Sequence, residues 1–264
     1  MYAFTFERPS STADASKLLT NASAKALAGG QTLLASMKLR LASPETLVDL
    51  GNLSELTGIC RDGDNIVIGA MTRHADVATN ADVLASIPAL ADLAAHIGDK
   101  QVRAMGTIGG SLANNDPAAC YPSAVLALNA TVHTTQRKIA ADDFFQGMFT
   151  TALKDGELIT AVSFPATRQA AYMKFRQPAS RFALIGVFVA KTATGVRVAV
   201  TGGGQGVFRH KALEAALASS FTPAAAAAVK IDSAGLSSDM HASADYRANL
   251  ISVMTQRAVA KAMG

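Results

Sequence analysis

The sequence predicts a mixed α+β protein, and three observations carry that expectation. Short apolar runs alternate with helix-spaced segments over roughly the first two thirds of the chain. Glycine-bearing turns join several of these runs. The last third then opens on two longer apolar strands and closes on helices.

The elements follow in order. Phe4-Thr5-Phe6-Glu7 reads as a short strand ended by Pro9, and Ser10, Ser11, Thr12 and Asp14 offer caps for a helix over 15–19. A strand over 25–28 runs straight into Ala28-Gly29-Gly30-Gln31-Thr32, a helix over 33–41 is closed by Pro44, and 46–50 is a buried strand. Strand, glycine turn, helix and strand in this order describe an α/β nucleotide-binding unit. The composition changes at Gly51-Asn52, and a strand over 65–70 follows the Asp62-Gly63-Asp64 turn. Thr72 is placed to cap a helix near His74, and a further helix covers 88–97. A second glycine loop, Thr107-Ile108-Gly109-Gly110-Ser111, precedes a helix over 121–129 opened by Pro122, and short strands continue to Pro165. From Tyr172 the pattern changes again. Strands over 182–190 and 195–201 form a hairpin around Thr192-Ala193-Thr194, followed by helices over 211–218, 223–229 and 246–263. The alanine run 224–228 suits a helix.

Composition narrows the function classes. The chain has 264 residues, half of them hydrophobic, enough for one large domain or two to three small ones. The net charge of +4 is spread out, with no Lys/Arg block of the kind that binds nucleic acid. No apolar stretch approaches the ~20 residues that span a bilayer. The N-terminus lacks the basic and apolar regions of a signal peptide, which points to the cytoplasm. Cys60 and Cys120 form no CxxC pair and are too few to ligate zinc or an iron–sulfur cluster, so electron transfer here requires an organic cofactor. His74, His96, His133, His210 and His241 are scattered singly, without metal or triad spacing, and most of them read as surface or capping residues.

Both glycine loops pair glycines with a small hydroxyl residue between apolar runs. Successive N–H groups in such turns form a concave nest for anionic oxygens, and glycine lets the backbone approach the ligand. Two of them could grip one diphosphate. Neither loop is a P-loop or a GxGxxG fingerprint. The equally glycine-rich 202–206 run reads as a turn out of a strand.

Two long motifs surround these loops: Ala28-Gly29-Gly30-Gln31-Thr32-Leu33-Leu34-Ala35-Ser36-Met37-Lys38-Leu39-Arg40, and the stretch from Lys100 through Thr107-Ile108-Gly109-Gly110-Ser111-Leu112-Ala113-Asn114-Asn115-Asp116-Pro117 to Pro122. On these motifs the chain resembles the FAD-binding medium subunit of bacterial molybdenum hydroxylases, the xanthine dehydrogenase and carbon monoxide dehydrogenase family. The resemblance covers nearly the whole chain. It implies an α+β fold in which a two-subdomain, PCMH-type FAD-binding module precedes a C-terminal domain of antiparallel strands packed with helices. The boundaries it implies are 1–55, 56–166 and 167–264, the last like the C-terminal domain of carbon monoxide dehydrogenase flavoproteins.

The resemblance also implies site residues. Ala28, Gly29, Gly30, Gln31 and Thr32 would donate N–H groups to the FAD diphosphate, with Leu33 lining the same pocket. Thr107, Ile108, Gly109, Gly110 and Ser111 would take its other side, the Thr107 hydroxyl adding a hydrogen bond. Ile97 would pack near the flavin cleft. Asn115 and Asp116 would either contact the cofactor or, in the case of Asp116-Pro117, simply start a turn. Tyr172 to Arg176 and Phe182-Ala183-Leu184 match the start of the family's C-terminal domain, which adds Lys174, Phe182 and Ala183 to the cofactor side. Phe182 would either stack on the isoalloxazine or sit as a buried strand residue. The chain departs from the family at Cys120, where an acidic residue commonly accepts hydrogen bonds from the cofactor; here the thiol is either oxidisable or inert and buried.

The function implied is that of an FAD-binding electron-transfer subunit of a heteromeric oxidoreductase. FAD would be non-covalent, since the first loop has no histidine for attachment. Molybdopterin and two two-iron two-sulfur clusters would reside in large and small partner subunits, assembled as a dimer of heterotrimers. A stand-alone FAD oxidoreductase of the wider superfamily and a non-catalytic nucleotide-binding assembly protein are the alternatives.

Overall fold

A computed structural model describes all residues, 1–264. Strands β1 (Thr5–Glu7), β2 (Ala24–Leu27) and β3 (Thr46–Asp49) form a parallel sheet with β3 in the centre. Helices α1 (Thr12–Leu18) and α2 (Leu33–Lys38) make the crossovers that parallel neighbours require. Ser11 caps α1 by accepting from the Asp14 N–H at 3.1 Å, as the hydroxyl-rich entry suggests. Helix α2 stops three residues short of the expected Leu41, because Arg40 turns into the left-handed region at φ 61° well before Pro44.

The middle of the chain is an antiparallel sheet. It contains β4 (Ile59–Asp62), β5 (Asn65–Gly69), β6 (Thr131–Thr134) and β7 (Lys138–Ala140). A small hairpin, β8 (Phe145–Gly147) with β9 (Thr150–Thr151), then leads to β10 (Ile159–Pro165). Strand β10 returns between β5 and β6, giving the order β4-β5-β10-β6-β7. Between β5 and β6 lie α3 (His74–Thr79), α4 (Ala81–Ser86), α5 (Pro88–Ala95), α6 (Lys100–Met105), α7 (Ile108–Asn114) and α8 (Tyr121–Ala127); the short α9 (Ala141–Phe144) follows β7. Strand β4 escaped the sequence because it lies at the sheet edge with Cys60, Arg61 and Asp62 exposed, which erases any apolar run. Thr72 does not cap α3. Its hydroxyl instead pairs with both the N–H and the carbonyl of Gly58, each at 3.0 Å, tying the end of β5 to the start of β4. The second glycine loop is not a loop either: Gly109 and Gly110 are in the first turn of α7, with Thr107 as the N-cap.

The C-terminal sheet is antiparallel in the order β11 (Ala170–Arg176), β12 (Ala183–Thr192), β13 (Gly195–Thr201) and β14 (Phe208–Arg209). Strand β12 starts one residue later than expected, leaving Phe182 outside it. Its first eight residues are all buried because both faces are covered. Phe188 and Ala190 join the core of the middle sheet, whereas Ile185, Val187 and Val189 pack under α10 (Lys211–Ser219), α11 (Pro223–Ala227) and α12 (Ala244–Met263). A fully buried side chain of this size contributes about 1.5–3 kcal/mol, so the double-sided strand joins two cores strongly. Charged groups reinforce the junction. Arg197 on β13 donates to the Leu126 carbonyl at 2.7 Å and pairs with Asp142, while Arg209 bridges Asp142 and Glu214 at 2.9 and 2.7 Å. Gly202 turns the chain out of β13 at φ 80°, with its N–H on Pro117 and its carbonyl held by Arg247. The 202–206 run is therefore a structural turn. No helix is long and apolar enough to cross a membrane.

Candidate functional site

The fold brings the two glycine segments into contact. Strand β2 ends at Leu27 and delivers Ala28–Gly30 against the residues leading into α7. A Cβ on Gly29 would collide with the Met105 carbonyl oxygen and fall 2.7 Å from Gly106 Cα. A Cβ on Gly110 would lie 3.4 Å from that of Ala28. Close backbone approach is thus what requires Gly29, while Gly30, at φ 69°, is required by its left-handed turn.

The hydrogen bonds of the two segments differ. From Ala28 through Gly29, Gly30, Gln31, Thr32 and Leu33, no backbone N–H donates to any protein acceptor. The side chain of Thr32, the N-cap of α2, makes no capping bond, and Gln31 turns its amide back onto the Gly29 carbonyl at 2.9 Å. These residues are partly or fully exposed, so the run is a row of six available donors at the end of a β-strand. In the second segment the donors are engaged. Ile108 N–H goes to the Thr72 carbonyl (3.1 Å), Gly109 N–H to the Ala70 carbonyl (2.8 Å), and Ser111 N–H to the Thr107 carbonyl (3.0 Å). Gly110 N–H goes to Thr107 Oγ1 at 3.2 Å, so this hydroxyl oxygen already serves as the helix cap. Only the Thr107 N–H is left without an acceptor. Gly109 is buried for a packing reason, since a Cβ there would fall 2.6 Å from Ala70 Cβ and 2.8 Å from its carbonyl.

The remaining expected residues fall into two groups. Asn115 is buried in the left-handed conformation that ends α7, and its Nδ2 donates to the Gly147 and Thr150 carbonyls at 2.7 and 2.8 Å. It clamps the β8–β9 hairpin. Asp116 Oδ1 accepts from the Ala118 N–H at 2.8 Å, which is the turn alternative. Ala183 is buried, with its carbonyl against Gly202. Ile97 is half-buried against the middle core, and its carbonyl accepts from Arg103 at 3.0 Å. Lys174, on β11, reaches across to the other side of the junction, where Nζ donates to the His96 carbonyl at 3.1 Å and lies 3.3 Å from Cys120 Sγ. Phe182 is 54 % exposed, which removes the buried-strand alternative.

Three buried polar side chains escaped the sequence. His74, expected at the surface or in a cap, is buried under the second segment, and a Cβ on Gly106 would lie 2.6 Å from its Nε2. Its backbone N–H donates to the Gly106 carbonyl at 2.9 Å, while Nδ1 has no partner. Burial first, and then Arg103, lower its pKa from 6.5 to about 4, so the ring is neutral at ordinary pH. The hydroxyls of Tyr121 and Tyr172 are also buried without partners. No local pattern marks these residues, because their burial comes from α3, α8 and β11 meeting in space.

Residues 2–167 match the family described as FAD binding domain in molybdopterin dehydrogenase. The chain is 35 % identical to the carbon monoxide dehydrogenase medium chain of Afipia carboxidovorans, covering 98 % of this chain and 96 % of that one. It is 36 % identical to the nicotine 6-hydroxylase medium subunit of Paenarthrobacter nicotinovorans, covering 98 % and 97 %. Among solved structures, a carbon monoxide dehydrogenase from Hydrogenophaga pseudoflava, lacking the Mo-pyranopterin moiety of its cofactor, superimposes with a TM-score of 0.90 at 34 % identity, covering 99 % of this chain and 98 % of that one. With its N-terminal FAD-binding domain and C-terminal antiparallel sheet, the chain belongs to the family of FAD-binding medium subunits of molybdenum hydroxylases, which includes the carbon monoxide dehydrogenase medium chains.

Proposed function

We propose that this chain is the FAD-binding electron-transfer subunit of a cytoplasmic molybdenum hydroxylase. In this reading, a large partner carries the molybdenum cofactor and a small partner two two-iron two-sulfur clusters, the whole assembled as a dimer of heterotrimers. Electrons from the clusters pass through this subunit to an external acceptor such as NAD⁺, oxygen, a quinone or a cytochrome. The single observation that carries the reading is the row of six acceptor-free N–H groups from Ala28 to Leu33, in a chain of this family.

The residues present suit FAD. Six consecutive free donors suit the oxygens of a diphosphate, and the missing Cβ of Gly29 lets the second segment close beside them. Thr107 N–H and the Ser111 hydroxyl, which has no protein partner, supply the opposite side. Phe182, already exposed, offers an aromatic face to the flavin ring. Ile97, Lys174 and Ala183 complete the residues assigned to the cofactor in this reading. Bound FAD supplies a carrier that takes up two electrons and can pass them on; the protein binds it, orients it and excludes water. We assign the two FAD-binding subdomains to 1–55 and 56–166, and the C-terminal domain to 167–264.

Reconstitution tests this reading. The purified chain, mixed with FAD and desalted, is expected to retain a flavin spectrum at about one flavin per chain, released into the supernatant by acid precipitation. A colourless product would favour a non-catalytic assembly protein, and flavin pelleting with the protein would favour a covalent flavoenzyme.

A further inference from the structure

We propose that Cys120 and Lys174 form an oxidatively closed sulfur–nitrogen cross-link that straps the C-terminal sheet to the FAD-binding part of the chain. Lys174 is on β11, and Cys120 immediately precedes α8, 54 residues away in sequence. Their reactive atoms are 3.3 Å apart, and the amine otherwise bonds only the His96 carbonyl, with no carboxylate to hold it elsewhere. The Tyr172 hydroxyl, two residues from Lys174 and 2 % exposed, is buried beside the same thiol. Its pKa is raised first by burial and then by the Cys120 thiol beside it. Cys120 is buried while Lys174 is only partly so, so the pair spans the edge of the junction.

The chemistry balances with hydrogen peroxide as the oxidant. Peroxide transfers one oxygen to Sγ, converting the thiol to a sulfenic acid and leaving one water. Lys174 Nζ, having given up its extra proton to solvent, attacks the sulfur. The S–O bond breaks, and the hydroxyl leaves as a second water with a proton from the amine. In sum, thiol, amine and one peroxide give an S–N bond and two waters; sulfur loses two electrons and peroxide gains them. Sulfenic acids condense with thiols or with backbone nitrogen, and here the lysine amine stands 3.3 Å from the sulfur. Excess thiol reductant reopens the bond.

The test is mass spectrometry of the full-length, FAD-loaded chain after peroxide treatment, digested with trypsin without reduction. The expected product joins peptide 104–137 to peptide 169–176, uncut at Lys174, at the summed peptide mass less two hydrogens, and it disappears on reduction. Lys174→Arg should abolish the cross-link and leave Cys120 as higher oxides. Recovery of Cys120 as free thiol or as sulfinic acid beside unmodified Lys174 in the wild-type chain overturns the proposal. This measurement reads a covalent bond and does not depend on the electron-transfer assignment.

Discussion

The 28–33 and 107–111 segments have similar glycine-rich compositions and lie against one another, yet their backbones are in opposite states. In the first, six consecutive N–H groups have no acceptor. In the second, four of the five are engaged by Ala70, Thr72 and Thr107. The glycines differ accordingly. Gly29 and Gly30 permit a close approach and a left-handed turn, whereas Gly109 permits α7 to pack on the end of β5. One segment is a donor row held open, and the other is the rigid support against which it is held.

The largest effect that distinguishes them is expected at Gly109. Gly109→Val drives a branched side chain into Ala70 and should destabilise the fold by about 3 kcal/mol, seen as a lower urea midpoint. Gly30→Val meets only the flexible Leu34 side chain and a left-handed backbone, at a cost of about 1–2 kcal/mol. It should remain folded and fail to retain FAD. A stable, flavin-free Gly109→Val protein would show that the second segment is as much a donor cradle as the first.

The next effect in size comes from His74, which supports Gly106 beneath the second segment. Its pKa in the folded chain is about 4, against 6.5 when unperturbed, so protonation favours the unfolded state. The contribution is complete above about pH 6.5 and is lost as pH falls toward 4, amounting to about 2–3 kcal/mol. Urea titrations of wild type and His74→Gln between pH 7 and pH 4 should show the wild type losing stability more steeply. Parallel slopes would remove His74 from that role.

The smallest effect is at Thr107. Thr107→Val keeps the shape and deletes the cap to Gly110, costing about 1 kcal/mol in thermal or urea stability. FAD affinity should change little. A tenfold or greater loss of affinity with unaltered stability would assign the hydroxyl to the cofactor instead.

The elements that could be read along the chain are those whose signals are local. The Ser11 cap, the β2–turn–α2–β3 order, Pro122 opening α8 and the β12–β13 hairpin all depend on neighbours within a few residues. The α7 start is not legible in the sequence because Gly-Gly is a poor helix former, and what holds it is the pair of carbonyls at Ala70 and Thr72. Asn115 shows the same limit. Its motif position suggested a cofactor contact, yet its amide serves Gly147 and Thr150, more than thirty residues downstream.

By itself, the sequence determined the family, the α+β layout and the identity of the glycine motifs, because long motifs and local periodicity survive without coordinates. Only the tertiary structure decided which motif keeps its donors free, that His74 lies beneath the second segment, and that Cys120 meets Lys174 across the junction. The physical reason is that a backbone amide or a buried side chain is defined by its partner. Those partners come from elements far apart in the chain, and chain folding alone brings them within hydrogen-bond distance.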